Sequence, residues 1–193
     1  MERFVQLIEE SKQTDPIELM KSSIASVNQE MIAESQSNEE YRGMGTTFVA
    51  ATISDGKVTV MNIGDSRLYY GNQELTQITV DHSYVEELVA MGKLKRGSRD
   101  YMEKKNIITR AVGVSEDVDT DLFALKLKSG DQILMCSDGL SNMVDELEME
   151  YIIRSEDGVE ARAKALVDAA NRSGGQDNIS VVLVEPQISE VSL

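Results

Sequence analysis

Thr46-Thr47-Phe48-Val49-Ala50-Ala51-Thr52-Ile53-Ser54-Asp55-Gly56-Lys57-Val58-Thr59-Val60-Met61-Asn62-Ile63 decides the fold class. β-Branched residues dominate on both sides of Asp55-Gly56, a dipeptide suited to a tight hairpin turn. Two strands, 46–53 and 58–63, are therefore expected. A second hairpin follows, with strands at 67–70 and 74–80 around Gly71-Asn72, and a third has strands at 121–127 and 132–136 around Ser129-Gly130-Asp131. A last strand runs from Asn178 to Val184.

Upstream of the hairpins the period changes. Asp15-Pro16 is a helix start, with Asp15 as cap and Pro16 in the first turn. Ile17, Met20, Ile24, Val27 and Met31 then recur at helical spacing. Val5 and Ile8 suggest a shorter helix before it, and the polar run Glu34 to Glu40 reads as a loop. Further helices are expected at 84–91, 145–154 and 158–171, while Gly92 to Lys105 reads as irregular and basic and Gln187 to Leu193 as a loose tail. Helices against antiparallel sheet, with no repeat or linker, make residues 1–193 a single α+β domain.

Composition narrows the function classes. Lys plus Arg total 19 against 34 Asp plus Glu, a net charge of −15. Such a field disfavours nucleic acid and anionic membrane surfaces, so any phosphate ligand needs positive charge from elsewhere, and a divalent metal is the obvious source. The single cysteine, Cys136, lies in an apolar run and reads as a small core residue. No stretch is apolar and long enough for a membrane span, Met1-Glu2-Arg3-Phe4 lacks the apolar segment of a signal peptide, and a cytoplasmic location is expected.

Three segments share one pattern, an Asp flanked by small residues at the tip of an apolar strand. They are Ile63-Gly64-Asp65-Ser66, Cys136-Ser137-Asp138-Gly139 and Gly174-Gly175-Gln176-Asp177-Asn178. Each alone is ordinary turn chemistry. Brought together, the carboxylates would repel unless a cation relieved them, and Mg²⁺ or Mn²⁺ takes such oxygen ligands. One histidine and one cysteine cannot build a zinc site of nitrogen and sulfur ligands. A Ser–His–Asp relay would depend on His82, whose neighbours Asp81 and Ser83 are adjacent in sequence and poorly placed for it. No Walker-type phosphate loop occurs.

The segments Gly43-Met44-Gly45-Thr46-Thr47, Asn62-Ile63-Gly64-Asp65-Ser66-Arg67, Thr79-Val80-Asp81-His82-Ser83, Ile108-Thr109-Arg110-Ala111-Val112-Gly113, Gly130-Asp131 with Cys136-Ser137-Asp138-Gly139-Leu140-Ser141, and Gly174-Gly175-Gln176-Asp177-Asn178-Ile179 run in the order found in one family. The chain resembles the metal-dependent type 2C Ser/Thr protein phosphatases (the PPM family), in particular the compact bacterial members. The resemblance implies a four-layer αββα sandwich of two antiparallel sheets flanked by helices. It also implies a Mg²⁺- or Mn²⁺-dependent hydrolase with two or three metal sites that removes phosphate from phosphoserine and phosphothreonine by a metal-activated water. Asp138 and Asp177 match ligands of the first catalytic metal, and Asp65 matches a ligand of a third, weaker one that Asp138 also touches.

The segment from Ser83 to about Lys105 matches the family's variable flap. That makes His82, Ser83, Lys93, Lys95, Arg96 and Arg99 candidates for substrate-proximal positions, although His82 reads more readily as a turn cap and the basic run equally as a solvated loop. Gly45-Thr46-Thr47 and Arg67 match scaffold positions. The implied partners are phosphoproteins, as products of a Ser/Thr kinase, for an enzyme expected to be monomeric if the domain is complete.

The family's opening strands carry an Arg that grips phosphate and an Asp-Gly-Met-Gly-Gly turn whose Asp bridges two metals. None of these motifs occurs in residues 1–193. The expectation is an N-terminally incomplete domain, from a start placed too late, a shortened product or a natural fragment. Weak Mn²⁺ binding and little turnover are expected of the 193 residues alone. The alternative is a catalytically impaired fragment, or a pseudophosphatase that acts as a protein-binding module.

Overall fold

The computed structural model describes residues 1–155 and 157–187. Most of the segment read as a tail, residues 188–193, lies outside them. Seven helices and seven strands are seen among the described residues: α1 (Glu2–Glu10), α2 (Pro16–Ser37), β1 (Phe48–Ser54), β2 (Lys57–Ile63), β3 (Arg67–Gly71), β4 (Leu75–Gln77), α3 (Tyr84–Ala90), α4 (Arg99–Lys104), β5 (Asp121–Lys126), β6 (Gln132–Cys136), α5 (Asp138–Ser141), α6 (Glu146–Ile153), α7 (Val159–Arg172) and β7 (Val181–Val184). The strands form two sheets, ordered β1-β2-β5 and β4-β3-β6-β7. The turn joining β1 to β2 has positive φ at both Asp55 (50°) and Gly56 (69°), the backbone of a two-residue hairpin whose twist suits the strands.

By contacts the chain divides into two compact units. The first comprises Met1–Thr52, Thr59–Gly64 and Asp81–Leu122. Its core joins Phe4 of α1, Met20 and Ile24 of α2, Phe48, Met61, Ile63 and Val112, with the Phe4 and Phe48 rings edge to face at 4.8 Å. Asp15 caps α2 by accepting from the Ile17 and Glu18 amides, as the Asp-Pro signal predicts. Asn28 is buried in α2 and holds a loop in place: its amide donates to the Ser115 and Glu116 carbonyls (2.9 and 3.1 Å), and its oxygen accepts from Gly113 N–H (2.7 Å).

The second unit comprises Ile53–Val58, Asp65–Val80 and the chain from Phe123 onward. Its four-stranded sheet is antiparallel throughout. Tyr69, Leu134 and Leu183 face one another across β3, β6 and β7 and are buried in a core shared with Leu140, Met149, Ile153 and Leu166. At the far end of this sheet, buried Arg162 of α7 donates to the Ile153 carbonyl and pairs with Glu185, whose carboxyl it holds below the usual range.

Several expectations are corrected. Glu34 to Ser37 continue α2, and Glu39–Tyr41 form a 3₁₀ turn capped by Asn38. Polarity there marks a solvent-facing helix end, because Glu, Ser and Gln do not break a helix. Within the basic run, Arg99–Lys104 is helical, capped by Ser98 and braced by an Arg99–Glu103 pair. β4 stops at Gln77, since the Thr79 hydroxyl accepts from Leu68 N–H (3.0 Å) and ends the ladder early. β7 starts at Val181 rather than Asn178, and the short helix α5 was not foreseen.

Replacing Asn28 by Ala removes three hydrogen bonds and strands the buried Gly113 N–H, so a loss of about 1–3 kcal/mol in unfolding free energy is expected from thermal or urea denaturation.

Candidate metal centre

Strand register places the three acidic turns. Arg67, the first residue of β3, is paired with Cys136, the last of β6, which is paired with Val181, the first of β7. Asp65 precedes that row, Asp138 follows it and Asp177 precedes it, so all three lie at the same end of one sheet.

Asp138 opens α5 and is half-buried, with Asn142 Nδ2 donating to its Oδ2 at 3.2 Å. Asp177 is exposed, and its Oδ1 accepts from the Asn178 amide at 2.7 Å. Asp65 is half-buried and follows Gly64, whose φ of +100° turns the chain at the end of β2.

The Asp138 and Asp177 turns are fastened together. Ser137 Oγ donates to the Asn178 carbonyl (3.1 Å) and accepts from Ser180 N–H (3.0 Å), while Ser137 N–H donates to the Ser180 carbonyl (3.1 Å). Gly139 lies directly against the same segment, where a Cβ would come within 2.3 Å of the Asn178 carbonyl oxygen. Sequence reasoning missed Ser137, Gly139 and Asn142 as supports, though the first two sit inside the Asp138 motif.

Among the described residues no group of three or more His, Cys, Asp or Glu is gathered so that it could hold a metal. Hard divalent ions need fewer protein ligands than that, because they keep several waters and often take only one or two carboxylates. Two oxygen donors on turns held to each other fit such a hydrated ion. Cys136 is buried, and Arg67 is directed to the hydroxyl of buried Tyr69 (3.0 Å), as suits a scaffold residue.

The flap candidates belong to the first unit. His82 is buried, with Nδ1 accepting from Gly64 N–H (3.0 Å) and Nε2 3.1 Å from Asp121 Oδ2, so the ring proton sits on Nε2. Its backbone N–H also donates to the Gly64 carbonyl. Arg110 pairs with Asp119 and Asp121. Burial alone would push the Asp121 carboxyl up, but hydrogen bonds from His82 and Arg110 outweigh it and hold the carboxyl below its usual range. Ser83 caps α3. Arg96 grips Glu86 through Nε and Nη2, and Tyr101 Oη donates to the same carboxylate at 2.7 Å. Lys93 and Lys95 are exposed, as is Arg99.

Acidic turns grouped at one sheet end are suited in charge and donor type to a hydrated divalent ion. The protein phosphatase 2C family profile matches residues 1–183. The chain belongs to this family of metal-dependent protein serine/threonine phosphatases. A serine/threonine phosphatase stp of Listeria monocytogenes serotype 4b (strain F2365) is 41% identical over 172 residues, covering 89% of this chain and 68% of that protein. The crystal structure of serine/threonine phosphatase Stp1 from Staphylococcus aureus superposes with a TM-score of 0.88 at 29% identity, covering 96% of this chain and 76% of that one. The catalytic domain of serine threonine protein phosphatase PstP, solved with two manganese ions, gives 0.82 at 30% identity over 94% of this chain and 76% of its own.

Two outcomes follow from the geometry. Gly139→Ala should lower stability by about 1–3 kcal/mol, because the methyl must displace backbone. Urea unfolding measures it. Asp121 has a depressed folded pKa, so its stabilisation is complete above the unfolded carboxyl value of about 4 and is lost as pH falls through the lower folded value. Asp121→Asn should therefore flatten the acid limb of a stability–pH curve relative to wild type.

Proposed function

We propose that the chain hydrolyses phosphoserine and phosphothreonine in proteins with Mg²⁺ or Mn²⁺ held by Asp138 and Asp177, and with a further ion between Asp65 and Asp138. The observation that carries this is the common sheet end occupied by the three acidic turns. A bound divalent ion would supply positive charge toward phosphate and make water a better nucleophile. Asp138 and Asp177 present oxygens to the ion, and Asn142 restrains the Asp138 carboxylate. No side chain is needed as nucleophile, in keeping with a buried Cys136 and a His82 whose two ring nitrogens are engaged. Lys93, Lys95 and Arg99 give the flap exposed positive charge suited to an anionic phosphoprotein, whereas the Arg96 charge is spent on Glu86. His82 and Ser83 serve as the fixed root of that flap. The substrates are the products of a Ser/Thr kinase.

Phosphate release from a phosphothreonine peptide, followed with Mn²⁺ titration, tests the proposal. Asp138→Asn and Asp177→Asn should each weaken Mn²⁺ binding by at least the roughly 10- to 100-fold typical of losing a ligand's support, with turnover falling in parallel. Turnover that is unaffected by either substitution overturns the assignment. Mn²⁺ binding without turnover would favour a binding module instead.

A further inference from the structure

We propose that Ser137 is a positioning residue for the divalent ion, its hydroxyl setting the placement of Asp177 relative to Asp138. It has this role only if those two carboxylates hold the ion, so the inference rests on the function proposed above. The β6–β7 ladder has its last paired residues at Cys136 and Val181. Beyond them β6 turns into α5, and the segment leading into β7 is exposed at Asp177, Asn178 and Ser180. The Ser137 amide extends the ladder by one bond, to the Ser180 carbonyl. Its hydroxyl then takes over, accepting from Ser180 N–H and donating to the Asn178 carbonyl.

One side chain thereby fixes both backbone groups that flank Ile179. Ser137 immediately precedes Asp138 and Asn178 immediately follows Asp177, so the bridge spans the two carboxylate-bearing turns. Carboxylates that share an ion repel one another before it binds, which favours separation of the turns that bear them. The hydroxyl opposes that separation before the ion arrives. Gly139 also lies directly against the Asn178 carbonyl, so the two turns are packed as well as hydrogen-bonded.

Mn²⁺ affinity of the full chain, measured from the electron paramagnetic resonance signal of free Mn²⁺, tests this without reference to turnover. Ser137→Ala should bind Mn²⁺ roughly 10- to 100-fold more weakly, as for other residues that orient metal ligands. Ser137→Thr, which keeps the hydroxyl, should retain wild-type affinity. Asp138→Asn serves as the ligand reference, and the melting temperature without metal is recorded for each chain. If Ser137→Ala does not fold, Ser137→Cys replaces it with the same expected weakening, since a thiol is a poor donor and acceptor.

Wild-type affinity in Ser137→Ala, alongside loss in Asp138→Asn, overturns the positioning role and leaves the ion site standing. So does a lowered melting temperature with unchanged affinity, which is the signature of a structural role alone. Equal binding by wild type and Asp138→Asn removes the ion site itself, and the role of Ser137 with it.

Discussion

The pairing of Leu134 with Tyr69 on one side and Leu183 on the other is the constraint on which the second unit depends. Side chains alternate between faces along a strand, so sliding β6 or β7 by one residue would turn this buried row to the opposite face. The apolar row therefore fixes register, and register fixes where each strand ends. Asp65, Asp138 and Asp177 occupy turns just outside those ends. Chemistry at the turns is thus held in place by hydrophobic contacts several residues away, and the hydroxyl of Ser137 acts within a frame already set by the core.

Much of this was legible in the sequence, and the parts that were not share a cause. Asp55-Gly56 announced its hairpin because the turn needs positive φ, which few residues accept. Asp15-Pro16 announced its helix because capping is local. The three acidic turns were visible as residue types, and their family order gave them roles. What the sequence could not show was mutual contact: Ser137 with Asn178 and Ser180, Gly139 against the Asn178 carbonyl, and Asn28 with the loop at 113–116. Each joins residues far apart in the chain, where local pattern carries no signal. The misread end of α2 has another origin. Glu34 to Ser37 are polar because they face solvent, and polarity alone does not distinguish a helix end from a loop.

The charge of −15 takes on more definite shape in the structure. Some acidic groups are paired with cations of the fold: Asp121 with Arg110, Glu86 with Arg96, and Glu185 with Arg162. At the acidic turns, Asn142 donates to the Asp138 carboxylate and the Asn178 amide to that of Asp177. Such donors orient a carboxylate without removing its negative charge. The basic flap, in turn, spends Arg96 on its own stability and keeps Lys93 and Lys95 exposed.

The β3-β6-β7 register also bears on when the site comes into being. Its strands are drawn from widely separated parts of the chain, and such non-local pairings form late because loop closure must precede any gain in contact energy. α1, α2 and the β1–β2 hairpin can begin from neighbours alone. The three acidic turns become neighbours only when the whole second sheet has closed. A nascent or partly folded chain therefore offers scattered carboxylates, and the ion site proposed for them would exist only in the completed fold.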